Sequence, residues 1–275
     1  MKDGSYSVVV TGGLGNQMFQ YALALSLRST GYSVILDVST YDFLEMHNGY
    51  ELERVFGINE TVVRKQGWHM FFLRVLAKIK PKRLYTGDHC VFDETLLNKP
   101  SRFIFGCWQD ERYFIGIKDV IHKAFCFRHI DELNLSIAKE MNSCQAISLH
   151  IRRGDYFEAG MTIISENYYR KAVEWILSHV KGAFFFLFSD DEVEAIKIAE
   201  SLGIKYRYIS HNHGKESYKD MYLMTQCKHN IIANSSFSWW GAWLNQNPSR
   251  IVIAPSVWKE SNKFFHPQSK NWILL

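Results

Sequence analysis

The amino-acid sequence predicts an α/β protein made of two Rossmann-like halves, each with a parallel sheet. Apolar runs of strand length alternate with segments whose apolar residues recur at helical spacing, which is typical of doubly wound folds. The alternation begins with a strand at 7–11, a glycine turn and a helix at 16–29. It begins again with a strand at 146–151. We therefore expect two domains, 1–140 and 141–275, with a ligand cleft between them.

The remaining elements are predicted from apolar spacing, β-branched and aromatic composition, and helix-ending residues. Residues 41–59 show no clear period, and Pro81 closes a long amphipathic helical pattern at 61–80. The other predicted strands cover residues 33–36, 103–106, 183–188, 205–209, 230–233 and 251–254. The other predicted helices cover residues 117–127, 131–142, 167–180, 192–202, 217–227 and 235–244.

Composition narrows the class of protein. The chain has 275 residues, of which 47% are hydrophobic and 22% charged, as in globular proteins with a sizeable core. A net charge of +4 is too small to indicate nucleic-acid binding, but it is compatible with an anionic ligand or membrane surface. Five scattered cysteines indicate reduced thiols in a cytosolic protein. The polar N-terminus and short apolar runs predict neither a signal peptide nor a membrane-spanning helix, so we expect a cytoplasmic location.

Two adjacent arginines follow the strand that opens the second half. The apolar run 146–149 leads into His150, and Arg152, Arg153 and Asp155 come directly after the strand. Arginine keeps its charge and presents a rigid fork of donors that suits phosphate. The pattern favours an anion-binding site, and the alternative is a solvated arginine pair.

A glycine-rich turn, 12–17, separates the first strand from the first helix. Its backbone amides and the helix N-terminus favour an anion, and Asn16 and Gln17 add side-chain donors. The dinucleotide fingerprint would need Gly or Ala where Met18 stands, and no Gly-Lys-Ser/Thr follows as in a P-loop. The alternative is an ordinary capped turn.

Two further strand-to-helix junctions carry polar side chains. Asp190, after the strand at 183–188, can accept a hydrogen bond from a base or a ribose hydroxyl. A metal site would need a third ligand beside Asp190 and Asp191, and the plainer alternative is helix capping by Ser189 or Asp190. Residues 234–241 combine small polar side chains, which cap helices or donate to phosphate, with two tryptophans that suit either a core or a ligand platform.

Two other stretches have both a functional and a structural interpretation. Trp108 and Gln109 suit the face and hydroxyls of a sugar, or else a capped helix start with buried aromatics. Residues 61–87 contain no acidic residue and interleave basic with apolar side chains. That pattern predicts either a helix lying on an anionic membrane or a core-facing helix with a solvated basic face.

Three of these stretches together carry a family resemblance. Residues 12–21, 150–156 and 234–241 resemble, in order, the signature blocks of α-1,2-fucosyltransferases of glycosyltransferase family 11, and 108–109 and 220–224 are similar to it as well. The resemblance covers nearly the whole chain and is closer to the bacterial branch. It implies a GT-B fold with two Rossmann-like domains facing across a cleft. It also implies inverting transfer from GDP-β-L-fucose to the 2-OH of a terminal galactose, with no cofactor and no obligatory metal.

The resemblance also implies residue roles by position. The catalytic group comprises Asn16, Arg152, Arg153 and Asp155, with both arginines at the donor pyrophosphate. Asp155 is the first candidate for the general base, and its alternative role is to orient the arginines. The implied donor-binding residues are Gly13, Gly15, Gln17, His150, Asp190 at the guanine, Asn234, Ser235, Ser236 and Phe237. Trp108 and Gln109 are expected at the acceptor.

We therefore expect an enzyme, a GDP-fucose-dependent galactoside α-1,2-fucosyltransferase of bacterial surface polysaccharide synthesis. The acceptor would be a β-galactoside-terminated oligosaccharide, in lipid-linked form, met at the inner face of the plasma membrane through peripheral contact. The alternatives are a GDP-sugar transferase of another linkage, such as α-1,6, and a non-catalytic carbohydrate- or nucleotide-binding module.

Overall fold

The structure of the chain is a computed structural model. It describes residues 5–42, 47–64, 84–85, 91–100, 102–154, 162–262 and 265–275. The chain divides into two compact units, Met1–Arg128 and His129–Leu275. No helix within the described ranges is both long enough and apolar enough to cross a membrane.

Within its described residues, the first unit forms a parallel sheet of five strands in the order β3-β2-β1-β5-β4. The direction of the strand order reverses between β1 and β5. The strands are β1 (Ser5–Val9), β2 (Ser33–Asp37), β3 (Val62–Val63), β4 (Leu84–Tyr85) and β5 (Phe103–Phe105). The helices are α1 (Leu14–Ser29), α2 (Leu52–Phe56), α3 (Thr95–Asn98) and α4 (Lys118–Ala124).

The described part of the second unit forms a parallel sheet of six strands in the order β11-β10-β9-β6-β7-β8. Its strand order reverses between β6 and β9. The strands are β6 (Gln145–Ile151), β7 (Ala183–Ser189), β8 (Tyr206–Tyr208), β9 (His229–Ile231), β10 (Val252–Ala254) and β11 (Ile273–Leu274). The helices are α5 (Glu132–Ser143), α6 (Glu166–His179), α7 (Glu192–Ser201), α8 (Tyr218–Gln226) and α9 (Ser236–Trp243).

The second sheet is covered on both faces, which explains why its strands are apolar throughout. Along β6, Ile147, Leu149 and Ile151 pack with residues of α6 and α7. Ala146 points to the other face and packs with residues of α5 and α8. Since side chains alternate along a strand, His150 lies on the same face as Ala146.

The predicted helix at 61–80 is wrong at its start. Val62–Val63 forms a strand that pairs with β2, opposite Leu36 and Asp37. Adjacent β-branched residues fit a pleated sheet, and the free side of β2 supplies a partner that overrides the local period. Residues 65–80 of the predicted helix lie outside the described residues.

Other differences concern short elements and the division of the chain. The structure adds short elements where the sequence shows no strong period, namely α2, α3, β4 and β11. The division between the units precedes α5, whereas the boundary expected at residue 140 falls inside this helix. Ile137 and Met141 of α5 pack into the core of the second unit, and one sequence does not reveal that partner.

Candidate functional site

Apart from Asp190, which follows β7, the predicted site residues within the described part of the chain lie where the strand order of each sheet reverses. In the first unit, the turn 12–17 follows β1 and residues 106–109 follow the neighbouring β5. In the second unit, residues 152–154 follow β6 and residues 232–235 follow the neighbouring β9. In open parallel sheets, ligands bind at the carboxyl ends of strands at such a reversal. Each unit therefore presents one candidate ligand-binding edge.

The glycine turn of the first unit brings backbone close to a polar side chain. Gly12 has a φ of +79°, and a Cβ there would lie 2.7 Å from Asn16 Nδ2. Gly13 is the residue before α1, and a Cβ on it would lie 3.2 Å from His47 Cδ2. Gly15 is buried in the first turn of α1, which has no side-chain cap. The turn thus places the N-terminus of a 16-residue helix, the end whose dipole favours an anion, at the carboxyl end of β1.

Gln17 has a structural task where the sequence predicts a donor contact. Its side chain is fully buried. Nε2 donates to the carbonyls of Gly12, at 3.1 Å, and Gly49, at 2.8 Å, while Oε1 accepts from Glu51 N at 2.9 Å. Both ends of the amide are used by protein groups, so Gln17 holds the segment 49–51 against the turn.

Gln20 also holds neighbouring segments together, a role that sequence reasoning missed. Its buried amide accepts from Thr11 N at 3.0 Å and donates to Gly106 O at 2.9 Å. These bonds join the chain just after β1 to the chain just after β5. The signal in the sequence was a glutamine three residues after Gln17 in an otherwise apolar helix face.

Trp108 and Gln109, the predicted acceptor residues, lie in different environments. Trp108 is fully buried and packs edge-on against Tyr113, with ring centroids 5.9 Å apart. Its ring face is therefore covered, and Trp108 serves as a packing residue in this structure. Gln109 is half-buried, and its Nε2 donates to Asn16 Oδ1 at 2.6 Å. The structure thus brings Gln109 together with Asn16.

In the second unit, both arginines stand beside carboxylates. Arg152 Nε lies 3.2 Å from Asp190 Oδ2. Arg153 donates its backbone N–H to Asp190 Oδ1 at 3.0 Å, and its guanidinium Nη1 lies 3.5 Å from Glu194 Oε2. Arg153 Nε is buried without a hydrogen-bond partner among the described residues. Arg153 is therefore loosely held and has donors to offer an anion.

Asp190 orients the arginines, whereas the sequence predicts that it contacts the guanine. The Asp190 carboxylate pairs with the side chain of Arg152 and accepts a hydrogen bond from the backbone N–H of Arg153. A Cβ on Gly154 would lie 2.7 Å from Asp190 Oδ2. The alternative role considered for Asp155 thus belongs, within the described residues, to Asp190. Asp155 itself lies outside those residues. The predicted cap of α7 is also shifted, because Asp191 accepts from Glu194 N at 3.1 Å.

His150 is a neutral group beside these charges. It is buried, and its ring contacts Phe237 at a centroid distance of 6.2 Å. Burial, and then the charge of Arg152, lower the pKa of His150 to about 3, while Asp190 acts in the opposite direction. Its Nδ1 is buried and has no hydrogen-bond partner among the described residues. His150 therefore offers a ligand a neutral imidazole near neutral pH.

The start of α9 lies on the other side of the strand-order reversal. Ser235 caps the helix by accepting from Phe237 N at 3.3 Å, and Ser236 and Phe237 are half-buried. Asn234 is buried, and its Nδ2 donates to the carbonyls of Thr162 and Trp258, at 2.8 and 3.0 Å. Asn234 thus holds two loops, while Ser236 and Phe237 stay accessible. The two tryptophans that follow are buried core residues. This fits the core alternative and not the ligand platform.

A carboxyl of α8 has a raised pKa, and sequence reasoning gave it no role. Asp220, in α8, accepts from Asn212 Nδ2 at 2.8 Å, and Asn212 in turn exchanges hydrogen bonds with Asn134 of α5. Burial raises the pKa of Asp220 to about 7, and the bond from Asn212 opposes this shift. The residue belongs to a stretch that carries part of the family resemblance, which was the available signal.

The candidate ligand-binding edge of the second unit (the second edge) combines two guanidinium groups, a neutral imidazole and the start of an eight-residue helix. Such donors suit a diphosphate, which accepts several hydrogen bonds and carries charge that helix N-termini favour. Among the residues that the structure covers, no three His, Cys, Asp or Glu side chains are grouped so that they could hold a metal ion.

A family model and two relatives match this chain along nearly its whole length. The family model described as "Glycosyl transferase family 11" matches residues 1–275. An alpha-1,2-colitosyltransferase of Escherichia coli is 31% identical, with 97% of this chain and 98% of the relative covered. The O-antigen biosynthesis glycosyltransferase WbnK of Escherichia coli is 30% identical, with 97% of this chain and 99% of the relative covered.

Solved structures show the same fold at low identity. The fucosyltransferase NodZ from Bradyrhizobium has a TM-score of 0.53 at 16% identity, over 88% of this chain and 92% of that one. NodZ alpha-1,6-fucosyltransferase soaked with GDP-fucose has a TM-score of 0.51 at 14% identity, over 88% and 93% of the two chains. The fold is α/β of the GT-B type, with two Rossmann-like units. With the family model matched along its whole length, the chain belongs to glycosyl transferase family 11.

Proposed function

We propose that this protein is an inverting glycosyltransferase that moves L-fucose from GDP-β-L-fucose to the 2-OH of a terminal galactose. The observation that carries the proposal is the meeting of two arginines, a neutral histidine and a helix start at the strand-order reversal of the second sheet. Family membership narrows the anion to the diphosphate of a sugar nucleotide. The α-1,2 linkage rests on the family resemblance and on the printed name of the colitosyltransferase relative.

In the proposed reaction, the acceptor oxygen forms a bond to C1 of the sugar while the bond from C1 to the phosphate oxygen breaks. The electron pair of that bond leaves with GDP, and the acceptor proton passes to a general base, for which Asp155 is our candidate. Positive charge builds up on the sugar and negative charge on the diphosphate. Arg152, Arg153 and the start of α9 stabilise the diphosphate. We propose that these groups make a metal ion unnecessary.

A second donor is supported by one specific comparison. The relative that is 31% identical is named a colitosyltransferase, and colitose is fucose without its 3-hydroxyl. GDP-colitose would place the same diphosphate on the same arginines, so the second edge does not distinguish the two sugars. The two donors are therefore rival forms of one proposal.

The decisive experiment offers purified protein both donors, GDP-fucose and GDP-colitose, with a panel of β-galactosides, in the presence and absence of EDTA. We expect α-1,2-linked product by NMR and equal rates with and without the chelator. An α-1,6 product would contradict the linkage. Loss of activity in EDTA that added divalent cation restores would contradict the metal-independent mechanism. A protein that binds GDP but transfers neither sugar would instead be a binding module.

Arg153→Ala tests the role of the arginine pair. Removing a charged donor from a developing anion costs about 100-fold to 1,000-fold in kcat, so we expect a loss of that size in transfer with an unchanged unfolding temperature. Arg170→Ala is the matched control, because Arg170 is a surface residue of the same unit paired with Glu166. Wild-type turnover in Arg153→Ala would remove this residue from the site.

We extend the proposal to the setting of the reaction. The relative named for O-antigen biosynthesis supports an acceptor that is a β-galactoside-terminated oligosaccharide of surface polysaccharide, carried on a lipid. Such an acceptor is met at the cytoplasmic face of the membrane, which would give the protein a peripheral location there. Transfer to a lipid-linked oligosaccharide at a higher kcat/KM than to the same free oligosaccharide would support this setting.

A further inference from the structure

We infer that Gln109 is a positioning residue that turns the Asn16 amide so that its NH₂ group faces the substrate. The inference rests on the proposed function, because it assigns Asn16 a hydrogen bond to an oxygen of the donor or the acceptor. The bond from Gln109 Nε2 to Asn16 Oδ1, 2.6 Å long, is its starting point.

The bond decides which end of the Asn16 amide remains available. Gln109 occupies Oδ1, and Nδ2 has no hydrogen-bond partner among the described residues. Nδ2 lies beside the glycine turn, 2.7 Å from where a Cβ on Gly12 would be. Because Gly12 lacks a Cβ, the amide nitrogen has room at the carboxyl end of β1. Gln17 and Gln20 differ, since their amides are buried and bonded to protein groups at both ends.

The backbone around Gln109 is built to aim this side chain. Trp108 has a φ of +55°, a left-handed conformation that a bulky residue adopts only under constraint. The constraint is its full burial against Tyr113 and a bond from Asp110 N to Trp108 O, 2.8 Å long. Such strain persists where the surrounding structure over-determines it, and it concentrates at functional sites. The buried Trp108 therefore acts as an anchor that directs the next side chain to Asn16.

A fixed NH₂ group has a defined chemical use. It donates to an oxygen lone pair, which a phosphate of the sugar nucleotide and a hydroxyl of the acceptor both provide. An amide held in one orientation beforehand stabilises charge in the transition state without having to reorganise. A freely rotating Asn16 would present its oxygen as often as its nitrogen.

The test compares two substitutions at position 109 with opposite chemistry. Gln109→Glu keeps the size of the side chain but replaces the donor with an acceptor, so Asn16 would flip and present Oδ1 to the substrate. Gln109→Met removes the bond without forcing a flip. We expect kcat/KM to fall at least tenfold in Gln109→Glu and about twofold in Gln109→Met, which correspond to about 1.4 and about 0.4 kcal/mol. Gln109→Glu at or above the activity of Gln109→Met would overturn the inference.

The pH profile separates orientation from packing. When protonated, the introduced carboxyl can again donate to Asn16 Oδ1, so the activity of Gln109→Glu relative to wild type should rise as the pH falls toward 5. The same ratio for Gln109→Met should stay flat. A flat ratio for Gln109→Glu would contradict the role. Gln145→Glu, at an exposed position of β6, controls for added negative charge.

Two further readouts identify the substrate oxygen and keep the inference independent of the proposed reaction. A rise in KM for the sugar nucleotide would assign the bond to the donor, and a rise in KM for the galactoside would assign it to the acceptor. If wild-type protein transfers no sugar, the proposed function fails, but the Asn16 side-chain NH₂ signal in 15N NMR still tests the orientation. Gln109→Glu should shift this signal, assigned through its loss in Asn16→Asp, and an unshifted signal would overturn the inference.

Discussion

At the scale of the residue, Asp190 contacts both arginines of the second edge, a role that the sequence does not predict. It bonds the side chain of Arg152 and the backbone N–H of Arg153. Removing it would take away the carboxylate beside the Arg152 side chain and the acceptor of the Arg153 backbone N–H. The interaction is possible because Gly154 has no side chain in the space that Asp190 Oδ2 occupies.

Gly154→Ala should therefore weaken nucleotide binding. The added methyl group would meet Asp190 Oδ2 at 2.7 Å and push the carboxylate away from the arginines. We expect about a tenfold loss in GDP affinity by calorimetry, which corresponds to about 1.4 kcal/mol. Gly116→Ala is the control, because a Cβ there has nothing within 4 Å. Wild-type affinity in Gly154→Ala would show that Asp190 can move without consequence.

His150 predicts a pH dependence of stability. Its pKa is lowered to about 3 in the folded protein from an ordinary value of 6.5. Protonation of His150 therefore does not affect the free energy of unfolding above pH 6.5. As the pH falls from 6.5 toward 3, the folded protein loses stability, because only the unfolded chain takes up the proton. His150→Phe should shift the acid-unfolding midpoint, followed by fluorescence, to lower pH, equivalent to about 1–3 kcal/mol at pH 4. The same substitution at exposed His213 should leave the midpoint unchanged, and equal midpoints for His150→Phe and wild type would contradict the prediction.

At the scale of the element, the first turns of α1 combine two tasks. The helix start directs the positive end of its dipole toward the glycine turn, while Gln17 and Gln20 fasten the same turns to neighbouring segments. The spacing in the sequence predicted the helix and its donors. Which amide faces outward and which is buried depends on the segments 49–51 and 106, which are distant in sequence.

Gln17→Ala should destabilise the first unit. It would leave the carbonyl of Gly49 and the N–H of Glu51 without the bonds that Gln17 supplies. The N–H of Glu51 is buried whereas Gly49 is half-buried. Because an unsatisfied buried polar group costs about 1–3 kcal/mol, we expect a loss of about 1–3 kcal/mol in the free energy of unfolding by urea titration. Gln145→Ala, at an exposed position, should stay within about 0.5 kcal/mol of wild type. A similarly small effect of Gln17→Ala would show that the turn holds without it.

At the scale of the whole molecule, the two units use one plan. In each sheet, one strand beside the reversal of strand order is followed by a polar motif. This strand is β1 in the first unit and β6 in the second. The right-handed connection between parallel strands makes this arrangement recur. The arginine pair and the glycine turn are therefore equivalent positions in two sheets.

Membrane contact through the basic segment 61–87 stays a prediction, and residues 65–83 and 86–87 lie outside the described residues. A variant with Lys78, Lys80, Lys82 and Arg83 neutralised should bind vesicles containing anionic lipid less than wild type does. Each basic residue near such a surface is worth about 1 kcal/mol, so the difference should be large and should shrink with added salt. Equal sedimentation of the two proteins with the vesicles would contradict the prediction.

The sequence by itself determined the fold class, nearly every long helix and strand, and the motifs that carry the family resemblance. These features depend on periodicity and on neighbouring residues, which one chain displays directly. Only the tertiary structure decided that Asp190 holds the arginines, that Gln17 and Trp108 are buried, and that Gln109 meets Asn16. Each of these outcomes depends on a partner far along the chain, as with Asn16 and Gln109, which are 93 positions apart. The strand order of the sheets places such partners side by side, and local pattern does not encode that order.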